Sequence, residues 1–104
     1  MSRGPDAGTL LSRALHEAAT RAGCPIELVS ADWTRWASAT FVGARHVLTL
    51  SAASGAAFEK WLEELPESDF ALRGHIVADL VIEGVRRDLR VTFATIEVLT
   101  VEDR

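Results

Sequence analysis

The sequence lacks several residue types that support particular structures and chemistries. It has no tyrosine, asparagine or glutamine, and its single cysteine, Cys24, excludes a disulfide within the chain. A lone cysteine is typical of a reducing compartment. No apolar run approaches the roughly 20 residues of a membrane helix, and the N-terminus lacks the apolar segment of a secretory signal. We therefore expect a cytoplasmic protein of one domain.

Basic residues are also unevenly represented. Lys60 is the only lysine among eleven basic residues, and alanine is abundant, a composition typical of a GC-rich bacterial genome. The formal net charge is −4. Because a nucleic-acid backbone is bound by concentrated positive charge, this composition disfavours a nucleic-acid partner.

Motifs with a known chemistry are absent as well. His16, His46 and His75 form no HxH or HxxxH pair, and with one cysteine they predict no metal site. No GxxxxGK[ST], GxGxxG or GxSxG segment occurs. Cys24 follows a predicted helix, whose dipole disfavours a thiolate there, so we expect a buried thiol. The sequence predicts a non-catalytic protein without a cofactor.

Two segments have the apolar spacing of amphipathic helices, residues 9–22 and 54–65. Thr9 and Ser54 are their predicted N-caps, and a proline follows each segment. The predicted buried stripes consist of Leu11, Leu15, Ala18 and Ala22 in the first helix and Phe58, Trp61, Leu62 and Leu65 in the second. Residues 1–8 are expected to be flexible, which leaves residues 9–104 as the single domain.

The rest of the chain alternates apolar and polar residues with the period of a strand. The predicted strands are residues 26–41, 45–52, 69–82 and 87–101. Gly43 and Gly84 occupy places typical of hairpin turns. The segments around them, VGARHVL and EGVRRDL, align with Gly, Arg and Leu in common when the sequence is shifted by the 41 positions that separate the glycines. We interpret this likeness as an internal repeat of residues 9–52 and 53–101.

The predicted order of elements is αββαββ. A four-stranded antiparallel sheet with both helices on one face satisfies this order. The arrangement resembles a circularly permuted ferredoxin-like sandwich, a resemblance that rests on the order of elements and not on a motif. We expect the spatial strand order third, fourth, second, first. A change of the apolar face near Ala94 and Thr95 predicts a bulge in the fourth strand.

Trp33 and Trp36 are three residues apart, so a regular strand points them to opposite faces. Trp33 is predicted to lie in the core, on the same face as Val29, Ala37, Ala39 and Phe41. Trp36 is predicted to lie on the open face, which the helices leave uncovered. A bulge at residues 34–35 would reverse this assignment.

The open face carries the functional prediction. Its interface or ligand candidates are Trp36, Arg73, His75, Val77, Asp79 and Arg90. Because tryptophan and arginine anchor many interfaces, we expect a homodimer formed through the open face around Trp36. Three alternatives stay open: a solvated face, a small-molecule or enzymatic site formed by His75, Asp79 and Arg90, and an adaptor for a larger assembly.

Overall fold

A computed structural model describes residues 6–103. The elements are α1 (Ala7–Arg21), β1 (Glu27–Ala37), β2 (Val42–Ala53), α2 (Ala56–Glu64), a 3₁₀ turn (Leu65–Glu67), β3 (Ala71–Leu72), β4 (His75–Arg87) and β5 (Val91–Glu102). The predicted α+β class is confirmed. Of the segment predicted to be flexible, residues 1–5 lie outside the described residues, and residues 7–8 belong to α1.

The strands form one antiparallel sheet in the order β1-β2-β5-β4-β3. The predicted count of four strands is wrong, because the segment predicted as the third strand turns back at Gly74 and forms both β3 and β4. Gly74 has φ of +81°, a conformation that a residue without a Cβ adopts at little cost. The four long strands have the expected order, and the ferredoxin-like arrangement stays a prediction.

The N-caps of both helices differ from the prediction. Asp6 caps α1, and its carboxylate accepts a hydrogen bond of 2.8 Å from the N–H of Thr9. Gly55 is the N-cap of α2, while the Ser54 hydroxyl donates a hydrogen bond of 2.6 Å to the carbonyl of Asp88. Asp6 and Ser54 therefore both lie beside a helix and both make a short side-chain hydrogen bond, but only Asp6 caps its helix. Both residue types are common N-caps, so residue type alone does not distinguish these two roles.

Both helices pack on the same face of the sheet, called here the helix face. One core cluster contains Leu11, Leu15, Ala19, Phe58, Trp61, Leu62 and Leu65 from the helical segments and Leu48, Leu50, Ala94, Ile96 and Val98 from the central strands. The stripe predicted for the second helix is confirmed. In the first helical segment the buried alanines are Ala7 and Ala19, and not the predicted Ala18 and Ala22. Cys24 is buried as predicted, and burial raises the pKa of its thiol.

A β-bulge near the start of β1 decides which of its residues face the helices. The β1–β2 register shifts between Leu28 and Ser30, so Val29 is the extra residue. Val29, predicted to be buried, is 55% exposed. Beyond the bulge the register is regular to Ala37, so the bulge considered at residues 34–35 does not occur.

Two further bulges lie in β4, and β5 is regular. The β4–β5 register shifts between Val77 and Asp79 and again between Ile82 and Gly84. The alternate residues of β5 from Thr92 to Thr100 are all buried on the helix face. The bulge predicted near Ala94 and Thr95 is therefore wrong, because the irregularity belongs to the neighbouring strand.

Gly43 and Gly84 lie inside strands, opposite Trp36 and Thr95, and not in turns. The hairpin turns are formed by residues 38–41 and 88–90. In the first, the Ser38 hydroxyl accepts a hydrogen bond of 3.0 Å from the N–H of Phe41, so no glycine is required. The repeat with an offset of 41 residues, which was anchored on the glycines, is not confirmed.

The two long hairpins correspond at a different offset. Counted from their turns, the pair Trp33–His46 of β1–β2 occupies the place that Ile82–Ile96 occupies in β4–β5. Trp33 of β1 therefore has its counterpart 49 residues later, in β4, and His46 of β2 has its counterpart 50 residues later, in β5. This correspondence allows the same position to be compared in two surroundings.

Candidate functional site

A cavity of about 380 Å³ opens on the helix face, between the first turn of α1 and one end of the sheet. Its volume lies within the range of ~300–1,000 Å³ typical of small-ligand sites. The polar, charged and aromatic residues that line it are Asp6, Thr9, Ser12, Asp32, Trp33, Arg35, His46, His75, Thr100 and Glu102. The cavity therefore combines a large aromatic surface with groups of both charges.

The cavity exists because the helices are shorter than the strands. Strands of 11 to 13 residues extend roughly 36–43 Å, whereas helices of 15 and 9 residues extend roughly 23 and 14 Å. Trp33 lies on the helix face, opposite the buried His46, but no helix covers it. Its 63% exposure contradicts the predicted core position, and Phe41 in the following turn is also exposed.

His46 forms the buried wall of the cavity. It is 4% exposed, and its Nε2 lies 2.9 Å from the Oγ1 of Thr100. The Thr100 hydroxyl has one hydrogen to donate and also lies 3.4 Å from the carbonyl of Ala44. We assign that hydrogen to the carbonyl and the imidazole hydrogen to Nε2, because this tautomer makes both contacts hydrogen bonds and leaves a lone pair on Nδ1. Nδ1 faces the first turn of α1, where a Cβ on Gly8 would lie 3.9 Å away.

The surroundings keep His46 neutral. Burial lowers its pKa below the ordinary 6.5, the charge of Asp6 opposes this shift, and the nearby His75 adds to it. The hydrogen bonds from Thr9 lower the pKa of Asp6. Near neutral pH the cavity thus holds a neutral imidazole acceptor close to an ionised carboxylate.

The corresponding positions of the second hairpin are apolar. Ile96 corresponds to His46, and Ile82 corresponds to Trp33. Ile96 is fully buried in the core, and Ile82 packs against it. By the same count Thr100 corresponds to Leu50, which is also buried. The polar pair of His46 and Thr100 therefore occupies places that this fold fills elsewhere with two aliphatic side chains.

The predicted site residues are dispersed. His75 lines the cavity, where it lies opposite Glu102, but Asp79 pairs with Leu99 on the open face. The bulge at Ala78 separates them, so the prediction that His75 and Asp79 share a face is wrong. Val77 packs against the core on the helix face. Arg73 lies in the β3–β4 turn and Arg90 in the β4–β5 turn, so His75, Asp79 and Arg90 form no common site.

Trp36 lies on the open face as predicted and is half-buried. Its ring covers Gly43, where a Cβ would lie 2.8 Å from the ring atom Cζ2. The same cross-strand row continues through Val101 to Ile76. The Trp36 indole nitrogen is the one buried side-chain N or O atom without a hydrogen-bond partner among residues 6–103. The open face thus carries an apolar row that begins at this tryptophan.

Sequence reasoning missed most of the cavity. His46 had a usable signal, because it occupies the same alternate positions as Leu48 and Leu50 in a strand whose other face is polar. A histidine in that phase indicates a buried polar side chain. Trp33, Asp6 and Glu102 had no comparable signal, since only the packing of α1 brings them together.

Within residues 6–103, no three His, Cys, Asp or Glu side chains are close enough to hold a metal ion. Neither helix of the described chain is long and apolar enough to cross a membrane. Comparisons with protein-family models, with curated proteins and with solved structures found no match. The geometry of the cavity is therefore the basis for a functional proposal.

Proposed function

We propose that this chain is a cytoplasmic, non-catalytic protein that binds a small molecule in the cavity beside α1. The observation that carries the proposal is the pair of His46 and Thr100. Burying a polar pair stabilises a fold no more than burying aliphatic side chains of similar size, and often less. The equivalent places are filled by Ile96 of the second hairpin and Leu50 of the first, so the architecture itself does not require polar residues.

The lining of the cavity suits a ligand with a flat or aliphatic body and a hydrogen-bond donor. The exposed Trp33 offers an aromatic surface for the body. The Nδ1 atom of His46, which the assigned tautomer leaves free, accepts a hydrogen bond from the donor. Arg35 and Glu102 supply one charge of each sign for further polar contacts.

Nuclear magnetic resonance with a fragment library of amines, carboxylic acids and nitrogen heterocycles tests this proposal. Fragments that bind are expected to shift the Trp33 indole and His46 imidazole signals together. The double variant His46→Ile/Thr100→Val should keep the fold, because Ile96 and Leu50 are aliphatic in the equivalent places, and should lose the shift of the Trp33 indole signal.

The chain offers a matched control for that variant. Thr49 and Thr95 form another polar pair, with their Oγ1 atoms 3.2 Å apart on the open face. Thr49→Val/Thr95→Val should retain fragment binding. A library without any fragment that shifts Trp33 and His46, or fragments that bind the His46→Ile/Thr100→Val variant equally well, would overturn the proposal.

A second candidate function is self-association through the open face around Trp36. The row of Trp36, Val101 and Ile76 favours it, since Ile76 is 51% exposed. Val47 and Val81 lie on the same face and are 38% and 41% exposed, but Arg45 and Asp79 separate them from this row. Contiguous exposed apolar surface often marks an interface. The finer likeness to a permuted ferredoxin-like sandwich, supported by the order of the long strands, is part of this proposal.

A further inference from the structure

The outer edge of β1 has no neighbouring strand among residues 6–103, because β1 pairs only with β2. From Ser30 to Ala37 its pairing with β2 is regular. The opposite edge of the sheet differs: β3 covers its end at His75 and Ile76, and the rest of β4 carries two bulges. Short strands and bulges prevent edges from pairing with other chains. The edge of β1 has no such protection beyond residue 29.

The same edge exposes large apolar side chains. Val29 is 55% exposed, Trp33 is 63% exposed, and Phe41 in the following turn is 54% exposed. Exposed apolar groups along a regular free edge are the features that an added strand covers, since the backbone supplies hydrogen bonds and the side chains supply buried area.

We propose that the outer edge of β1 pairs in antiparallel orientation with β1 of a second copy of this chain. A two-fold axis perpendicular to the sheet relates the copies, so the two five-stranded sheets become continuous and all helices lie on one face. The axis passes midway between one residue and the same residue of the other copy, so these two lie opposite each other, and each possible axis is named by that residue. Residues at equal distances before and after it then lie opposite each other on the same face.

The charges of β1 restrict the position of that axis. An axis at Asp32 would oppose two carboxylates, and an axis at Arg35 would oppose two guanidinium groups, arrangements that destabilise a strand pair. An axis at Thr34 avoids both. It places Trp33 of each copy opposite Arg35 of the other copy, which forms two cation–π contacts.

This register connects the pairing to the cavity. Trp33 and Arg35 both lie on the helix face and line the cavity. Arg35 of the second copy would therefore cover the exposed side of Trp33 and complete the rim. An axis at Trp33 would also avoid like charges, but it would stack two indoles and provide no cation–π contact. The pairing itself does not depend on whether a ligand binds.

Cysteine crosslinking tests the register. The native Cys24 is free and buried, so an added cysteine is the only exposed thiol of the described chain. In Thr34→Cys, residue 34 of each copy would lie opposite its mate with Cβ atoms ~4.5–5.5 Å apart, close to disulfide geometry. We expect a disulfide-linked dimer to form in a glutathione redox buffer much faster than with Thr20→Cys, an exposed position on α1.

Equal crosslinking rates for Thr34→Cys and Thr20→Cys would overturn the proposal. Faster crosslinking of Trp33→Cys than of Thr34→Cys would overturn the register. Sedimentation without an added cysteine gives the independent measurement. Wild type should sediment as a dimer, Arg35→Asp should shift it to monomer by removing both cation–π contacts, and Arg13→Asp on the exposed surface of α1 should not. A monomeric wild type at its highest soluble concentration would contradict the pairing.

Discussion

At the scale of single residues, His46 combines burial with an unoccupied acceptor atom. The Thr100 hydroxyl orients the ring, and burial keeps it neutral. A polar group in such a place is stable only while its hydrogen bond is made, because an unpaired buried donor costs about 1–3 kcal/mol. The tautomer, and with it the acceptor offered to a ligand, therefore depends on one threonine.

The depressed pKa of His46 predicts how stability depends on pH. The unfolded chain takes up a proton near the ordinary pKa of 6.5, whereas the folded protein takes it up only at lower pH. Between these two values the unfolded state binds more protons, so the free energy of unfolding falls as pH decreases. Well above pH 6.5 His46 is neutral in both the folded and the unfolded state, so the loss of stability that its protonation causes is absent there.

Urea unfolding at several values between about pH 8 and about pH 5 measures this dependence. His46→Ile/Thr100→Val should lose less stability than wild type over the range. Asp6 and Glu59 do not contribute in this window, since both titrate below ordinary values of 3.8 and 4.5. Identical pH profiles for the two proteins would show that His46 is not buried and neutral.

At the scale of elements, the two hairpins show how bulges override alternation. A strict period of two predicts the face of Trp33 and Trp36 correctly, because β1 is regular beyond Val29. The same period fails in β4, where one bulge separates His75 from Asp79. A bulge depends on how a strand pairs with its neighbour, so the residues of that strand alone do not reveal it.

Gly43 is expected to be intolerant of substitution because the carbonyl oxygen of Thr100 and the ring of Trp36 both lie against it. A Cβ at Gly43 would overlap the carbonyl oxygen of Thr100 and lie 2.8 Å from the Trp36 ring. We expect Gly43→Ala to lower the free energy of unfolding by about 1–3 kcal/mol, the usual cost of overpacking.

Gly84→Ala provides the control for that substitution, since Gly84 also lies within a strand and no atom lies within 4 Å of its added Cβ. We expect a change within about 0.5 kcal/mol, or a small gain from the reduced freedom of the unfolded chain. Chemical denaturation measures both variants. Equal destabilisation would mean that the Thr100 carbonyl and the Trp36 ring do not crowd Gly43.

At the scale of the whole molecule, an elongated sheet carries a compact helical layer. The molecule extends over 46 × 24 × 22 Å, and the core lies where both helices cover the sheet. One end of the helix face is left partly uncovered and forms the cavity, while the open face bears the row from Trp36 to Ile76. Together with the unpaired outer edge of β1, these are the surfaces on which the proposals for binding rest.

Self-association through the open face predicts a specific effect of Ile76→Lys. A lysine in the apolar row would have to lose water on association, so the dissociation constant of a dimer formed there should rise at least tenfold. Thr20→Lys adds the same charge on the exposed surface of α1 and should have no effect. Analytical ultracentrifugation compares the variants. A dimer that withstands Ile76→Lys but not Arg35→Asp would exclude the open face and support pairing through β1.

The α+β class, the two amphipathic helices and the alternation of β2 could be predicted from the amino-acid sequence alone. These features depend on the spacing of apolar residues along a few turns or a few residue pairs, as in the buried stripe of α2. The bulges, the regular alternation of β5, the break at Gly74 and the exposure of Trp33 became visible in the tertiary structure. Whether a residue on the helix face is buried depends on how far a helix extends above it. That is a relation between distant segments, so Trp33 lines a cavity while Ile82, its counterpart, packs against the core.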